Sequence, residues 1–500
     1  MATRRTVLRA TLAGATMATF AGTIGGLRSA VAAGAVPVRK SLHGMSPDDD
    51  DLVAYRDFVG AMQQKDQSAP LSWLGYSLQH GNMDTGRYKY CPHGDWYFLP
   101  WHRAYVVMYE NAVRALTSHP RFAMPYWDWT LDRTMPSPFT DPTYKGKPNP
   151  LYVSTRTLTN PTRWPLPDSI VGPKVIEAIY RENDFQLFGT TKNPAQNNLD
   201  MSWVVRGGGS QGILERTPHN TVHNYIGGFM PSPGSPRDPV FFMHHSNIDR
   251  IWAYWNAMGK SNTSGMDPAT QRLWLEMNFK DNYISPTGTL YSAVVKNLQS
   301  TQALGYTYSG LPVAAKQSFD AERAKRLLAL FGGGDNLGVQ ALTPLPVLNA
   351  EAASPHHALV KQARLRHSML QLVTAEKQPT RTPEVYALIK DIEVPRGVEA
   401  LRVFVNADKV DANTPDSDPH FVTQISFLQH GDNGDAHGES EHKASPSTLV
   451  DLTPTLRELS QSGQLKDDTV SLQLIAVPRE GAAPDAKTEV VPASVEIAVL

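Results

Sequence analysis

The amino-acid sequence predicts a mainly α-helical domain followed by a β-sandwich domain. Two segments, 101–117 and 241–256, carry apolar and aromatic residues at helical spacing, which is typical of helices buried on one face. Beyond about residue 383 the pattern changes to short runs of β-branched residues between clusters of Pro, Gly, Asn and Asp, as in antiparallel strands. The clearest of these runs are 403–405, 423–427 and 470–477.

Length and charge limit the classes of protein to which the chain can belong. Its 500 residues are enough for two domains, and we expect a helical domain over 40–310, a linker over 311–382 and a β-sandwich over 383–500. The 47 Lys and Arg residues nearly balance the 48 Asp and Glu residues, and no basic stripe is present. This balance argues against a nucleic-acid partner.

The N-terminal segment has the features of a targeting signal. Arg4 and Arg5 form a twin-arginine pair, a mildly apolar stretch follows over 10–24, and Ala30-Val31-Ala32 offers a cleavage site. The stretch is too short and too weakly apolar to predict a membrane span. We therefore expect residues 1–33 to be a signal peptide for the twin-arginine route, with a periplasmic or secreted mature protein.

Six of the 16 histidines fall into two groups that could each bind a metal ion. The first group is His80, His93 and His102, and the second is His219, His223 and one of His244 and His245. A single histidine on an apolar face is usually a core residue, but six of them in two groups would leave several buried nitrogens to be satisfied. A metal centre explains the pattern better.

The second group has the clearest spacing. His219 and His223 are four residues apart, so a helix places both rings on one face. Thr217 and Pro218 predict the start of that helix, as N-cap and first-turn proline. His245 lies three residues before Ile248 on the apolar stripe of its helix, but His244 shares much of that face, so spacing does not choose between them.

The first group draws its histidines from different local structures. His102 lies three residues before Tyr105 and faces the core side of its helix. His93, nine residues earlier, would fall on the opposite side, so we expect it to come from the preceding loop. His80 ends a short apolar stretch just before the helix breaker Gly81.

The donor atoms favour copper. Catalytic zinc and iron sites often combine histidine with carboxylate, whereas both groups here consist of imidazole. Imidazole suits copper, which stands high in the affinity series of divalent metals. Two sites with three ligands each would leave positions open for other molecules. A di-zinc hydrolase remains a further alternative.

Several motifs resemble those of the tyrosinase, catechol oxidase and haemocyanin superfamily, which holds a pair of copper ions. The segment from Cys91 to Arg103 resembles the first copper motif, and segments 217–223 and 238–250 resemble the start and the end of the second. Pro125-Tyr126-Trp127-Asp128-Trp129 and Tyr306-Thr307-Tyr308 are similar to further landmarks. More loosely, the C-terminal block resembles the β-domain of plant-type polyphenol oxidases.

The resemblance implies a four-helix bundle around a dicopper site with six ligands. It assigns His80, His93 and His102 to one copper ion and His219, His223 and His245 to the other. It prefers His245 to His244 because the second histidine of the pair is the ligand in the family. His43 competes with His80, because the first ligand lies in a variable stretch.

The activity that the resemblance implies is oxidation of small phenols by dioxygen, with two copper ions per chain as cofactor. Monophenols would be hydroxylated at the ortho position, and o-diphenols would be oxidised to o-quinones. The alternatives are a catechol oxidase without hydroxylase activity and a dioxygen carrier of the haemocyanin type. The short residues of 231–235 argue against a shielded carrier site.

Four further residues acquire possible roles from the resemblance. Cys91, the only cysteine, stands two residues before His93, the spacing of a cysteine–histidine thioether in fungal and molluscan relatives. Glu215 and Asn220 stand where the family has a glutamate and an asparagine that hold a water acting as base. Segment 421–427 resembles the covering strand of latent enzymes, which makes its last residue, Phe427, a candidate shield over the site; ordinary sandwich core is the alternative.

Overall fold

The structure is a computed structural model that describes most of both predicted domains. The described residues are 36–311 without 83, 85–86, 118 and 159–163, then 323, 327, 359–364, 384–428 without 396, 446–465, 469–480 and 490–499. The predicted signal peptide, most of the predicted linker and the histidine-containing segment 430–442 lie outside these residues.

The first part of the chain is mainly helical. Its helices are α1 (Asp50–Gln63), α2 (Trp73–Ser77), α3 (Phe98–Leu116), α4 (Ser137–Thr140), α5 (Asp168–Val171), α6 (Pro173–Arg181), α7 (Phe185–Phe188), α8 (Ser202–Arg206), α9 (Asn220–Ile226), α10 (Val240–Ala257) and α11 (Pro268–Leu275). A π-helical turn, Glu215–His219, leads directly into α9, and short 3₁₀ turns lie at Ser235–Arg237 and Val295–Leu298. None of the helices in the described ranges is long and apolar enough to cross a membrane.

Short strands complete this helical region. They are β1 (Val38–Arg39), β2 (Gly81–Asn82), β3 (Arg87–Tyr88), β4 (Thr143–Tyr144), β5 (Lys147–Pro148), β6 (Ser210–Gln211), β7 (Asn278–Ile284), β8 (Leu290–Val294) and β9 (Thr307–Tyr308). β1 pairs in parallel with β9, so the two ends of the region close on each other.

Two long helices form the centre of the helical region, and local signals fix their ends. α3 begins just before Pro100, which is tolerated in a first turn because the first N–H groups need no partner inside the helix. α10 begins where the Asp238 carboxylate accepts a hydrogen bond of 2.9 Å from Val240 N. Both helices are buried along most of their length, with aromatic pairs such as Tyr109–Phe242 between them.

The second part of the chain is rich in strands. It contains β10 (Leu359–Arg364), β11 (Val385–Glu393), β12 (Val398–Val405), β13 (Phe421–Ser426), β14 (Ser447–Asp451), helix α12 (Thr453–Gln461), β15 (Thr469–Pro478) and β16 (Val491–Val499). The strands form two four-stranded sheets, ordered β10-β15-β12-β13 and β16-β11-β14-β6. Apolar side chains from both sheets make one core. The predicted fold class, a helical domain followed by a strand-rich one, is therefore confirmed.

The two regions share a sheet. β6, from the helical region, pairs in parallel with β14, with Ser210 opposite Ser447 and Gln211 opposite Thr448. The Thr448 hydroxyl also donates a hydrogen bond to the Gln211 carbonyl at 3.2 Å. Because these bonds cross the boundary between the regions, the sandwich is attached to the segment that leads into α9.

Candidate metal centre

The first histidine group assembles as the sequence predicts. One ligand atom from each of His80, His93, His102 and Cys91 lies within 4.8 Å of all the others. His80 follows α2, His93 lies in the loop before α3, and His102 lies in the second turn of α3. His43, the competing candidate, is instead exposed and bonded to the Asp132 carboxylate at 2.7 Å.

Backbone carbonyls fix the ring orientation of two members of this group. His80 Nδ1 donates to the Pro233 carbonyl at 2.7 Å, and His102 Nδ1 donates to the Phe98 carbonyl at 2.7 Å. With the proton on Nδ1, the neutral ring presents Nε2 as its basic nitrogen. Such a bond to the remote nitrogen is the usual partner of a histidine that binds a metal.

The second group is held in the same way. His223 Nδ1 donates to the Met230 carbonyl at 2.7 Å, and His219 Nδ1 donates to the Asn220 side-chain oxygen at 2.8 Å. His245 Nε2 then lies 3.4 Å from His219 Nε2 and 3.2 Å from His223 Nε2. Three nitrogens about 2.0 Å from one ion are separated by roughly 3.3–3.5 Å, so the spacing fits a single metal ion.

His244 and His245 both belong to the second group, because one ligand atom of each lies within 4.8 Å of those of His219 and His223. Trp129 Nε1–H points at His244 Nδ1 at 3.3 Å, and a donor there requires His244 Nδ1 to be the unprotonated nitrogen. In that arrangement the neutral His244 ring carries its proton on Nε2. His245 Nε2, in contrast, faces both His219 and His223. The assignment of His245 as the third ligand stays a prediction from the family resemblance.

The two groups are adjacent. The His102 and His245 rings stack with centroids 4.3 Å apart, and the His93 and His219 rings lie 5.8 Å apart. Phe98 packs between the groups, with its centroid 4.8 Å from His102 and 4.6 Å from His219. Two ions held by these groups would face each other across one small space.

Burial keeps the histidines in their metal-binding form. It lowers the pKa of His80 to about 3 and of His223 to about 4, and it holds the pKa of His102, His219 and His245 well below the usual value. The rings are therefore neutral at ordinary pH, as metal ligands must be. No carboxylate belongs to either group within the described ranges. The donor set, imidazole with one thiol, fits copper.

Glu215 and Asn220 lie beside the centre and tie its parts together. The buried Glu215 carboxylate accepts a bond of 2.8 Å from Gly94 N, next to His93, and a second bond from the Thr190 hydroxyl. Burial raises the pKa of Glu215 to about 7. Asn220, besides accepting from His219, donates from Nδ2 to the Ser426 carbonyl at 2.7 Å. Both residues therefore connect the histidine groups to surrounding segments.

The helix carrying His219 begins differently from the prediction. Thr217 and Pro218 lie inside the π-helical turn Glu215–His219 and not at an N-cap. The Thr217 hydroxyl donates instead to the Gln424 carbonyl of β13 at 3.1 Å. The prediction of the start was wrong because the partner of Thr217 lies 207 residues further along the chain.

Strand β13 covers the side of this helix that faces away from the histidines. Thr221 Oγ1 lies 2.7 Å from Ser426 Oγ, and Asn224 Nδ2 donates to the Phe427 carbonyl at 3.0 Å. The Phe427 side chain packs in the apolar core of the sandwich. Phe427 therefore occupies the sandwich core, the alternative weighed for it, and its role as a shield stays a prediction.

Other features of the centre had no signal in the sequence. The carbonyls that orient His80, His102 and His223 come from backbone atoms, which no residue pattern reveals. The segment 231–235, expected to leave the site open, is buried, and Pro233 bonds to His80. The short side chains of this segment let it pack closely against the centre. Short residues there therefore do not indicate an open route to the metal groups.

A pair of adjacent, histidine-rich metal groups inside a helical domain is typical of dinuclear copper proteins. Residues 55–258 match the common central domain of tyrosinase. The chain therefore contains the central domain of the tyrosinase and polyphenol oxidase family.

Relatives of two kinds resemble most of the chain. A tyrosinase of Hahella sp. (strain CCB-MM4) is 25% identical over 483 residues, covering 85% of this chain and 93% of that protein. A chloroplastic polyphenol oxidase of Malus domestica is 27% identical over 414 residues, covering 78% and 65%.

Solved structures share the fold. A latent aurone synthase, described as a polyphenol oxidase, matches with a TM-score of 0.61 at 18% identity, over 93% of this chain and 89% of that one. Latent apple tyrosinase matches with a TM-score of 0.56 at 21% identity, over 93% and 98%. The helical region and the strand-rich region thus occur together in other proteins.

Proposed function

We propose that this protein hydroxylates monophenols at the ortho position and also oxidises the resulting o-diphenols to o-quinones. Phenol oxidation with copper is the activity of its family, and hydroxylation is the finer step that we infer. The observation that carries the proposal is the pair of adjacent imidazole groups with a buried carboxylate, Glu215, next to them. Oxidation of o-diphenols alone is the second candidate.

The residues of this chain have three tasks in such a reaction. Bound copper ions would supply the capacity to reduce dioxygen and oxidise the phenol. The backbone bonds to His80, His102 and His223 hold the rings in place. Burial of the centre excludes bulk water and strengthens local electrostatic interactions. The third task is to accept a proton from the phenol near the centre.

Glu215 and Asn220 are the residues that we propose for proton removal. A phenol has a pKa near 10, so its proton must be taken by a base before the oxygen can bind a metal. The Asn220 oxygen accepts one bond from His219 and has a second lone pair, and each oxygen of the Glu215 carboxylate can also accept more than one bond. A water held between them would be polarised towards accepting the proton.

Replacing Glu215 with glutamine tests this role. Glutamine keeps an oxygen for the bond from Gly94 N but cannot become negatively charged. We expect hydroxylation of tyrosine to fall by more than about ten-fold, and oxidation of an o-diphenol to fall less, because it is more acidic and already carries both oxygens. The ratio of the two rates, measured on copper-loaded protein, is the readout.

Asp184→Asn is a matched control for this variant. Asp184 is also a buried carboxyl whose pKa burial raises to about 7, but it caps α7 and belongs to neither histidine group. Its replacement should leave the ratio of the two rates unchanged.

In wild type, the rate of hydroxylation should decline as the pH falls below about 7, because a protonated Glu215 carboxyl cannot accept a proton. The positive charge of bound copper would lower the pKa of Glu215 and move this decline to a lower pH. Equal loss on both substrates in Glu215→Gln would assign the residue to structure.

We also propose a thioether between Cys91 and His93. Cys91 Sγ lies 3.5 Å from His93 Nδ1 and 3.9 Å from Nε2, and Cε1 is the carbon between these nitrogens. Forming the S–C bond removes the thiol hydrogen and the ring hydrogen, with dioxygen as the oxidant at the copper-loaded site. The link would fix His93, which lies in a loop, and protect the thiol from oxidation.

Intact mass tests the link. Protein loaded with copper in air should be lighter by two hydrogens than protein kept without metal and dioxygen, and its Cys91 should resist thiol reagents after unfolding. Cys91→Ser should show no such mass difference. Full labelling of Cys91 in unfolded, copper-loaded wild type would exclude the bond.

Export by the twin-arginine route is a further proposal, supported by the sequence of residues 1–33, which lie outside the described ranges. Replacing Arg4 and Arg5 with lysine should retain the protein in the cytoplasm of its host, as cell fractionation would detect. Unchanged export of that variant would contradict the assignment.

A further inference from the structure

A cavity of about 90 Å³ lies where the helical region meets the strand-rich region. Among the described residues, its wall includes Arg216 and Ser210 from the helical region, Asp451 and Tyr386 from the sandwich, and Arg323 from the segment between them. Neither metal group contributes a histidine to this wall. A cavity of this size has room for several water molecules or one small ligand.

Arg216 is the first sign of a missing partner. Its side chain is 4% exposed, and its Nε has no hydrogen-bond partner among the described residues. Its remaining bonds go to neutral hydroxyls, Thr217 Oγ1 at 3.0 Å and Thr423 Oγ1 at 3.2 Å, and it forms no ion pair within the described part of the chain. Burial lowers the pKa of Arg216 to about 10. The Asp451 carboxylate opposes this shift but forms no ion pair with Arg216. A buried cation that no carboxylate contacts is costly, so the site favours an anion.

Ser210 is the second sign, independent of the first. It is 4% exposed, and its hydroxyl has no hydrogen-bond partner in the part of the chain that the structure describes. Its backbone is satisfied, because Ser210 N donates to Thr191 Oγ1 at 2.7 Å and the Ser210 carbonyl accepts from Thr191 N at 3.0 Å. A hydroxyl that donates and a guanidinium that donates both suit an oxygen acceptor with negative charge.

The other charges of the wall limit the charge of the ligand. Arg323 pairs with Glu182 at 3.2 Å and with Glu384 at 2.9 Å, so its charge is already compensated. Arg181 lies 3.9 Å from the Asp451 carboxylate. Arg216 alone of these cations has no carboxylate within 4.0 Å among the described residues, so an anion could bond to it directly. The Glu182 and Asp451 carboxylates of the same wall would repel a ligand with more than one negative charge.

The apolar residues of the cavity wall narrow the class of ligand further. Ala178, Leu187, Ile213 and Leu449 offer hydrocarbon surface to the ligand. We propose that this cavity binds a small monocarboxylate, with its oxygens bonded to Arg216 and Ser210 and its hydrocarbon part against these side chains. Bound there, the ligand joins the sandwich to the π-helical turn that precedes α9.

Titration of the full-length, copper-loaded protein with propionate tests the proposal. We expect binding in a calorimeter and a rise in the thermal unfolding midpoint with propionate, neither of which sodium chloride at equal ionic strength reproduces. Arg216→Met should weaken propionate binding by about ten-fold or more, and Ser210→Ala should weaken it by less. Arg272→Met, which alters an exposed arginine that does not line the cavity, is the matched control and should bind like wild type.

Folding of the Arg216→Met variant can be checked directly. Without propionate it should unfold at the same temperature as wild type or higher, because a buried uncompensated charge has been replaced by an apolar group. Propionate binding that persists unchanged in Arg216→Met would locate the ligand elsewhere, including at copper, and overturn the proposal. Tighter binding of inorganic phosphate than of propionate, dependent on Arg216, would overturn the assignment to a monocarboxylate.

Discussion

Replacing His245 with alanine is expected to reduce the copper content from two ions per chain towards one and to eliminate phenol oxidation. The reason is geometric: His245 Nε2 lies within 3.4 Å of the Nε2 atoms of both His219 and His223, so its loss leaves a site with two nitrogens. We expect a fall in turnover on the order of 10³ or more, because a metal centre supplies several kcal/mol of transition-state stabilisation. Copper analysis and an oxygen electrode provide the measurements.

His244→Ala is the control for this variant, because the two residues are neighbours on α10 and equally buried. It should keep both copper ions and retain activity, although loss of the contact with Trp129 will lower its unfolding temperature. The reverse pattern, with copper lost from His244→Ala and kept in His245→Ala, would show that the ligand assignment is wrong.

Arg39→Ala should produce the largest loss of stability. Arg39 is fully buried, pairs with Glu110 at 2.8 Å and with Asp249 at 3.0 Å, and stacks on Tyr306 at 3.6 Å. Its removal would leave two carboxylates buried with fewer counter-charges, a change that costs about 3–5 kcal/mol. For a domain of this size the thermal midpoint should fall by roughly 10 °C, as calorimetry on copper-loaded protein can measure.

The effect should reach the metal centre, because Glu110 lies on α3 with His102 and Asp249 lies on α10 with His245. Arg272→Ala, which breaks the exposed pair with Glu276, should change stability by less than about 1 kcal/mol. An Arg39→Ala protein with an unchanged midpoint would mean that the network contributes little to the fold.

Periodicity predicted the central helices well because their burial is one-sided or nearly complete. Segment 101–117 corresponds to Phe98–Leu116, and 241–256 corresponds to Val240–Ala257. The start of α9 escaped prediction because β13 supplies the partner of Thr217. β6 escaped for the same reason: two residues carry no strand pattern, and only pairing with β14 orders them.

The histidine groups could be predicted because metal ligation demands particular side chains at particular spacings. The choice between His244 and His245 could not be derived from spacing, since both residues lie within the second group. Phe427 could not be placed by pattern either, because β-branched and aromatic residues look alike whether they face a sandwich core or a neighbouring domain.

The most direct test of the copper-centre account is dioxygen uptake by the purified, full-length, copper-loaded protein during oxidation of an o-diphenol. Each diphenol that becomes a quinone gives up two electrons, and reduction of dioxygen to water takes four. Two bound copper ions per chain and half a molecule of dioxygen consumed per quinone, without released hydrogen peroxide, is the predicted result. A chain that retains a single copper ion, or that binds two and forms no quinone, would contradict the account.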